Sequence, residues 1–399
     1  MATPKLRFKE FDGDWTSKQL GKIIGISSAS RVFKEQWQDS GVPFFRTSDV
    51  VSIFKNKENE KAYISLELFE ELAKKSGKIK QGDLLVTGGG SIGIPYLVPN
   101  DQPLYFKDAD LLWMKSSGIV EGSFLYNFFI SPKFREYLKS ISHTGTISHF
   151  TIEQAKATPF GFPSKEEQTK IASFLSNVDE KISQLTQKHQ LLSQYKQGMM
   201  QKLFSQQLRF KADDGSEFRE WEEKELKDIA EINPKSKKLP ESFIYIDLES
   251  VEKGQLLLQK NIELQDAPSR AQRLLAKGDV LFQMVRPYQQ NNYYFNLSGE
   301  YVASTGYAQI RTKLDSKFIY YALHEKTFLD EVMNRCTGTS YPAINSSDLS
   351  SIEILIPCLE EQTKIANFLS AIDQKIEVVA QQIEQAKQWK KGLLQQMFV

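Results

Sequence analysis

Two groups of residues in this chain have side chains of the kind that read the edges of nucleic-acid bases. The first is Arg46, Thr87, Gly89, Ser91, Thr144, Thr146 and His149, with Arg31, Thr47, Ser48 and Ser148 beside them. The second is Arg286, Tyr288, Gln290, Asn291 and Asn292, extended by Gln289, Tyr293 and Tyr294, then Thr337, Thr339 and Tyr341 with Ser340. Arginine bonds guanine through two donors, and asparagine or glutamine bonds adenine, in the major groove of a duplex. The stretch from Arg286 to Tyr294 is polar, aromatic and directly follows a predicted strand. A solvated hairpin tip is the alternative reading of the same residues.

Catalytic chemistry has no comparable signature. The chain contains neither a GxxxxGK[ST] loop nor an HExxH pair. Asn233-Pro234-Lys235 lacks the second proline and the aromatic residue of an amino-methyltransferase motif. The four histidines, His143, His149, His189 and His324, do not cluster with Cys336 or Cys358 at metal-ligand spacing. Gly88 to Gly93 (GGGSIG) formally matches a dinucleotide fingerprint, but a second strand, Ile94 to Val98, follows it where a helix would be needed. A tight turn is the better reading. No catalytic residue, metal ligand or resident cofactor is therefore assigned.

The elements that must position these side chains occur twice. Residues 166–182 (EEQTKIASFLSNVDEKI) return at 360–376 as EEQTKIANFLSAIDQKI, with 13 of 17 positions identical. The same offset aligns Tyr195-Lys196-Gln197-Gly198 with Trp389-Lys390-Lys391-Gly392, and Phe204 with Phe398. Weaker echoes are Leu6-Arg7-Phe8 with Leu208-Arg209-Phe210, each followed by a tryptophan (Trp15, Trp221). Gly82-Asp83-Leu84-Leu85 likewise returns as Gly278-Asp279-Val280-Leu281, and Thr144-Gly145-Thr146 as Thr337-Gly338-Thr339. Between these landmarks the halves share almost no sequence.

Apolar residues in the repeated segment alternate steps of four and three, the coiled-coil spacing. The seam is Ile171, Leu175, Val178, Ile182 and Leu185 in the first copy and Ile365, Leu369, Ile372, Ile376 and Val379 in the second. Ser164 and Glu167 form a capping-box pattern that starts the first helix near 164. Each helix of about 40 residues would be roughly 60 Å long. The expected partner of each seam is the other copy, packed antiparallel. The alternative, that each helix only caps its own domain, is disfavoured because two unlike cores would not demand the same residues. The variable parts mix short apolar runs with helical stretches (Phe124 to Leu138; Phe318 to Met333) and read as α+β or α/β.

Composition sets outer limits. The chain has 399 residues, 40% hydrophobic and 25% charged, with a net charge of +1 and two cysteines. That excludes a disulfide framework and a protein that coats nucleic acid by charge alone. Residues 1–163 carry 21 basic and 18 acidic groups, and 206–357 carry 19 and 23. Phosphate attraction from the chain itself is thus modest. No apolar run approaches the roughly 18 residues of a membrane span, and a cytoplasmic location is expected.

The doubled segment is preceded by a proline and ends in [YW]-K-x-G-[ML]-[ML]-Q-x-[LM]-F. It resembles the conserved regions of type I restriction-modification specificity (S) subunits, as do the GD[LV]L and TGT elements. The resemblance implies an α+β fold with two target recognition domains in pseudo-twofold arrangement, separated by two long antiparallel coiled-coil helices. The expected boundaries are 1–163 and 206–357 for the recognition domains, and 164–205 and 358–399 for the helices. It also implies a non-catalytic subunit whose domains each read half of a bipartite site in double-stranded DNA. Two modification (methyltransferase) subunits and two restriction subunits are the implied partners, with no membrane. S-adenosylmethionine, ATP and Mg belong on those partners. A DNA-independent coiled-coil adaptor, whose variable halves bind proteins, stays open as the alternative.

Overall fold

The computed structural model describes residues 3–107, 110–116, 118–141, 149–235 and 238–399. The chain divides into two compact units. Met1–Thr186 together with Gln381–Val399 form the first, and Gln187–Ala380 form the second. Both are α+β.

In the first unit an antiparallel sheet runs Ile26–Ser27, Leu111–Met114, Leu84–Thr87, Pro95–Leu97. A second sheet runs Tyr63–Ile64, Val42–Phe45, Tyr105–Phe106, its central strand parallel to the last. A two-stranded ribbon, Thr16–Gln19 with Pro159–Phe162, leads into the first long helix. All four residues of Leu84–Thr87 and of Leu111–Met114 are buried. Strands covered on both faces read as unbroken apolar runs rather than alternating ones.

The second unit repeats this plan and adds to it, including a short hairpin of Val251–Glu252 with Gln255–Leu256. Its first sheet runs Ala230–Ile232, Tyr307–Thr312, Val280–Gln283, Tyr293–Tyr294, again antiparallel. Its second runs Lys260–Glu263, Ser242–Ile246, Tyr301–Ser304, with Ser242–Ile246 parallel to Tyr301–Ser304 and one additional strand, Ala271–Leu274. The ribbon is Glu222–Glu225 with Glu353–Ile356.

The helical stretches are each broken in two. Gly122–Ile130 stops at Ser131, and Pro132–Ser140 begins there with Ser131 capping Phe134 N. Proline has no amide hydrogen to continue the first ladder but suits the first position of a new helix. In the second unit Ser316–Ala322 is followed by Lys326–Asn334, whose N-cap is Glu325.

The long helices are Lys165–Phe204 and Leu359–Met397. Ser164 caps the first by accepting from Glu167 N at 3.3 Å. Each unit holds one segment of each helix. In the first unit Asp179 meets Lys390 and Gly161 meets Val399, so residues 381–399 run antiparallel to 165–186. In the second, Lys196 meets Asp373 and Leu203 joins Ile365 and Leu369 in one core.

The seam residues serve two neighbours at once. Ile171, Leu175 and Val178 are buried among Trp15, Phe124 and Phe160 of their own domain as well as Leu393, Met397 and Phe398. Ile365, Leu369 and Ile372 likewise share a core with Leu226, Phe318 and Leu203. Ile182 and Ile376 pack half-buried at the margins of these cores, while Leu185 and Val379 are buried. Capping the domain and pairing the helices are therefore one surface, which corrects the expectation that they compete.

The repeated Glu-Gln explains why both cores demand the same residues. Glu167 is 1% exposed and takes two hydrogen bonds from Arg7, at 2.8 and 2.7 Å, and one from Trp15 Nε1 at 3.3 Å. Glu361 is held identically by Arg209, at 3.2 and 2.9 Å, and by Trp221 at 3.1 Å. These hydrogen bonds hold the Arg7 and Arg209 guanidinium groups charged, above their ordinary range. Gln168 donates to Pro163 O and accepts from Glu121 N, and Gln362 donates to Pro357 O and accepts from Asp315 N. A buried carboxylate needs such partners, because an uncompensated charge there is costly.

Among the described residues, no helix is long and apolar enough to cross a membrane.

Candidate nucleic-acid interface

The GD[LV]L element launches the central strand of each main sheet. Gly82 and Gly278 adopt φ of 83° and 94°, a conformation that favours glycine. The aspartates after them are buried fasteners. Asp83 accepts from Lys80 N, Ser116 N and Trp113 Nε1 at 2.6–2.9 Å. Asp279 accepts from Ala276 N, Gln309 Nε2 and Arg311, each at 2.7 Å.

Each central strand ends in a loop that is clasped by the segment following the TGT element. In the first unit Gly88 N donates to Asp110 O, Phe150 N donates to Gly88 O at 2.7 Å, and Gly89 pairs with His149. In the second, Met284 N donates to Gly306 O, Ile344 N donates to Met284 O at 3.1 Å, and Val285 pairs with Ala343. The backbone pattern is the same although no side chain in it is shared. Two sequence regions about 60 residues apart thus form one surface in each domain.

In the second unit this surface is well populated. Arg286 N donates to Pro342 O at 2.7 Å, and the Arg286 guanidinium lies 4.3 Å over the Tyr341 ring. Tyr288 and Tyr341 are 51% and 62% exposed, and Thr337 and Thr339 are also exposed. Arg286 and Gln290 both adopt left-handed backbone, which turns the loop sharply around Pro287–Gln289. In the first unit Ser91 and His149 are exposed at the matching place.

Four candidate residues point elsewhere. Thr87 is fully buried, with its hydroxyl donating to Ser91 O and accepting from Ile94 N at 2.9 Å. Gly89 is buried in its bridge to His149. Asn292 is 1% exposed, its Oδ1 accepting from Gln283 N at 2.8 Å. Arg46 occupies the N-cap position of the helix Thr47–Phe54, where Asp49 accepts from its backbone N–H, and commits its guanidinium to Asp49, at 2.9 and 3.3 Å, and to Glu60 O. Turn and strand-end positions use polar side chains to satisfy their own backbone, so polarity alone did not separate exposed candidates from braces. Asn291 accepts from Lys253 N, and Gln290 is half-buried against His324 O. Thr144 and Thr146 lie outside the described residues.

Sequence reasoning missed the braces of the second loop, Gln283 and His324. Gln283 is buried at the end of an otherwise apolar strand, and such an interruption was the available signal. His324 is pushed down to about 4 chiefly by burial. The GGGSIG segment is a turn between two strands, closed by Gly93 N donating to Thr87 O.

Two copies of one α+β domain, each leading into a long helix, define a protein of duplicated architecture. The family model described as "Type I restriction modification DNA specificity domain" matches residues 12–194 and 219–388, one match per repeat. The chain belongs to this family of type I restriction-modification specificity subunits. It is 27% identical over 289 residues to the type I restriction enzyme MjaVIII specificity subunit of Methanocaldococcus jannaschii, covering 68% of each chain. It is 26% identical over 409 residues to the putative MjaX specificity subunit of the same organism, covering 98% of this chain and 94% of that one. The crystal structure of the type I restriction-modification S subunit from M. genitalium has the same fold. Its TM-score is 0.60 at 18% identity, with 100% of this chain and 99% of that chain covered.

Proposed function

We propose that this specificity subunit is a non-catalytic reader of a bipartite site in double-stranded DNA, each domain recognising one half. The observation that carries this reading is the recurrence of the same clasped loop pair in two domains whose loops differ completely in sequence. A common frame with exchangeable tips is what two independent half-site readers need. The second loop pair would use Arg286, Tyr288, Thr337, Thr339 and Tyr341, and the first Ser91 and His149.

The long helices would dock two methyltransferase subunits and set the distance between half-sites. Helices of roughly 60 Å are compatible with half-sites about 34–36 Å apart on one face of the duplex. The near-neutral charge of the chain makes the partners the source of most phosphate attraction. S-adenosylmethionine, ATP and Mg would be bound by the methyltransferase and the two restriction subunits.

The test is methylome sequencing of a host expressing the chain with its methyltransferase partner. Replacing residues 1–163 by the corresponding domain of another family member should change one half-site only. Alteration of both halves, or of neither, overturns the modular reading.

A further inference from the structure

The loop that carries Arg286 and Tyr288 is held from behind by two buried amides, Gln283 and Asn292, and the half-buried imidazole of His324. Gln283 Nε2 donates to Val285 O at 2.8 Å and to Gln289 Oε1 at 2.9 Å, and its Oε1 accepts from Asn291 N at 3.0 Å. One side chain therefore bridges both ends of the loop. Asn292 closes the turn by accepting from Gln283 N, and its Nδ2 lies 3.4 Å from His324 Nε2.

The amide can only donate there, so Nε2 of His324 accepts and its proton sits on Nδ1. Nδ1 is 2.7 Å from Tyr320 O, which takes that proton as a hydrogen bond. The imidazole is thus a neutral bridge between the helix Ser316–Ala322 and the loop. Behind it, Tyr321 donates to Asp373 Oδ2 at 2.6 Å, and Asp373 pairs with Lys196 of the other long helix. The helix Ser316–Ala322 thus completes a path that joins the helix pair of this unit, through Tyr321, to the base of the loop, through His324.

The first domain has no such path among its described residues. Asp315 and Glu121 occupy equivalent places, since each donates its backbone N–H to the repeated glutamine, Gln362 or Gln168. By that correspondence Ile130 stands where His324 does, and Asn127 where Tyr321 does. The brace is a property of the second recognition loop, whose two left-handed non-glycine residues need external support.

We propose that Gln283, Asn292 and His324 are positioning residues for the second half-site: they fix the loop bearing Arg286 and Tyr288 while touching no base themselves. This rests on the reading of that loop as DNA-facing. An unsupported loop would keep its side chains but lose their common orientation, so discrimination should fall more than general DNA affinity.

The experiment uses the full chain with its methyltransferase partner. Labelled duplexes carry the site found by methylome sequencing, or that site altered in one half, with the second domain's half assigned by exchange of residues 206–357. The variants are Asn292→Leu, His324→Phe, His324→Gln, Gln283→Met and, as a direct-contact control, Arg286→Ala. Gln283→Met keeps the side-chain volume and removes only hydrogen bonds, so it reports even where His324→Phe fails to fold. Asn292→Leu, His324→Phe and Gln283→Met should lower the cognate-to-altered affinity ratio at the second half-site by about tenfold, with the first half-site ratio unchanged. His324→Gln, which can still accept from Asn292, should restore most of it. If folded variants leave the second ratio unchanged while Arg286→Ala lowers it, the positioning inference fails alone. If Arg286→Ala also has no effect there, the reading of the loop itself fails and takes the inference with it.

Discussion

Lys390 Nζ lies 2.5 and 2.7 Å from the two carboxylate oxygens of Asp179, and Lys196 makes the equivalent pair with Asp373 at 2.6 Å. These two lysines, which stand at equivalent places in the repeated segment, are thus register pins, one in each unit. Asp373 has a further duty, because the buried Tyr321 hydroxyl donates to it at 2.6 Å. Asp179→Ala should cost about 0.5 kcal/mol, as its carboxylate is 47% exposed and well screened. Asp373→Ala should cost about 1 kcal/mol more, since it also takes the shorter of two hydrogen bonds from a buried hydroxyl and leaves it Ser370 Oγ at 3.3 Å. Denaturant unfolding of the two variants checks the difference.

The anchor at Glu167 should be far more expensive to break. Arg7→Ala leaves a carboxylate that is 1% exposed with Trp15 Nε1 as its one remaining side-chain donor among the described residues. The expected loss is about 3 kcal/mol in the first unit. Arg209→Ala should do the same to the second unit through Glu361. Unfolding followed by the fluorescence of Trp15 or Trp221 assigns each loss to its unit.

Stability should decline on mild acidification through His324. Its value is about 4 in the folded chain against 6.5 for the free imidazole. The unfolded chain therefore binds a proton first, and folded-state stability, complete above 6.5, is lost as the pH falls toward 4. The Lys196 cation near it lowers the value further, while Asp373 opposes this. The full effect is about 3 kcal/mol. Melting curves of the wild type and His324→Gln between pH 7 and about 4.5 should diverge by most of that amount.

Arg286→Ala should weaken binding to the second half-site by about 1–3 kcal/mol at fixed salt if its guanidinium reads a guanine. Titration at several salt concentrations separates this from a phosphate contact, which would weaken all sequences alike and reduce the salt slope by about one.

The parts of the fold that were legible in sequence are those in which side-chain identity itself is constrained. Glu167 and Glu361 need an arginine and a tryptophan at fixed places, so Leu-Arg-Phe and the following tryptophan survive in both halves. Sheet order was not legible, although it is the same in both domains. A strand such as Leu84–Thr87 or Val280–Gln283 is specified by burial and register, which many residues satisfy. The candidate interface was legible only as a neighbourhood. Arg286, Tyr288 and Tyr341 emerge at the surface, whereas Thr87, Asn292 and Arg46 turn inward to satisfy backbone or carboxylate partners. Arginine occurs in both groups, and only the local turn decides which way it faces.

The composition of the first unit also has a consequence for biosynthesis. Its aromatic core, Phe124, Phe128 and Phe160, is sealed by Leu393, Leu394, Met397 and Phe398. A ribosome makes those four residues only after every residue of the second unit has left the peptidyl-transferase centre. The domain synthesised first is consequently finished last, and a nascent chain stalled before residue 381 presents an open phenylalanine face to the chaperones of the cell.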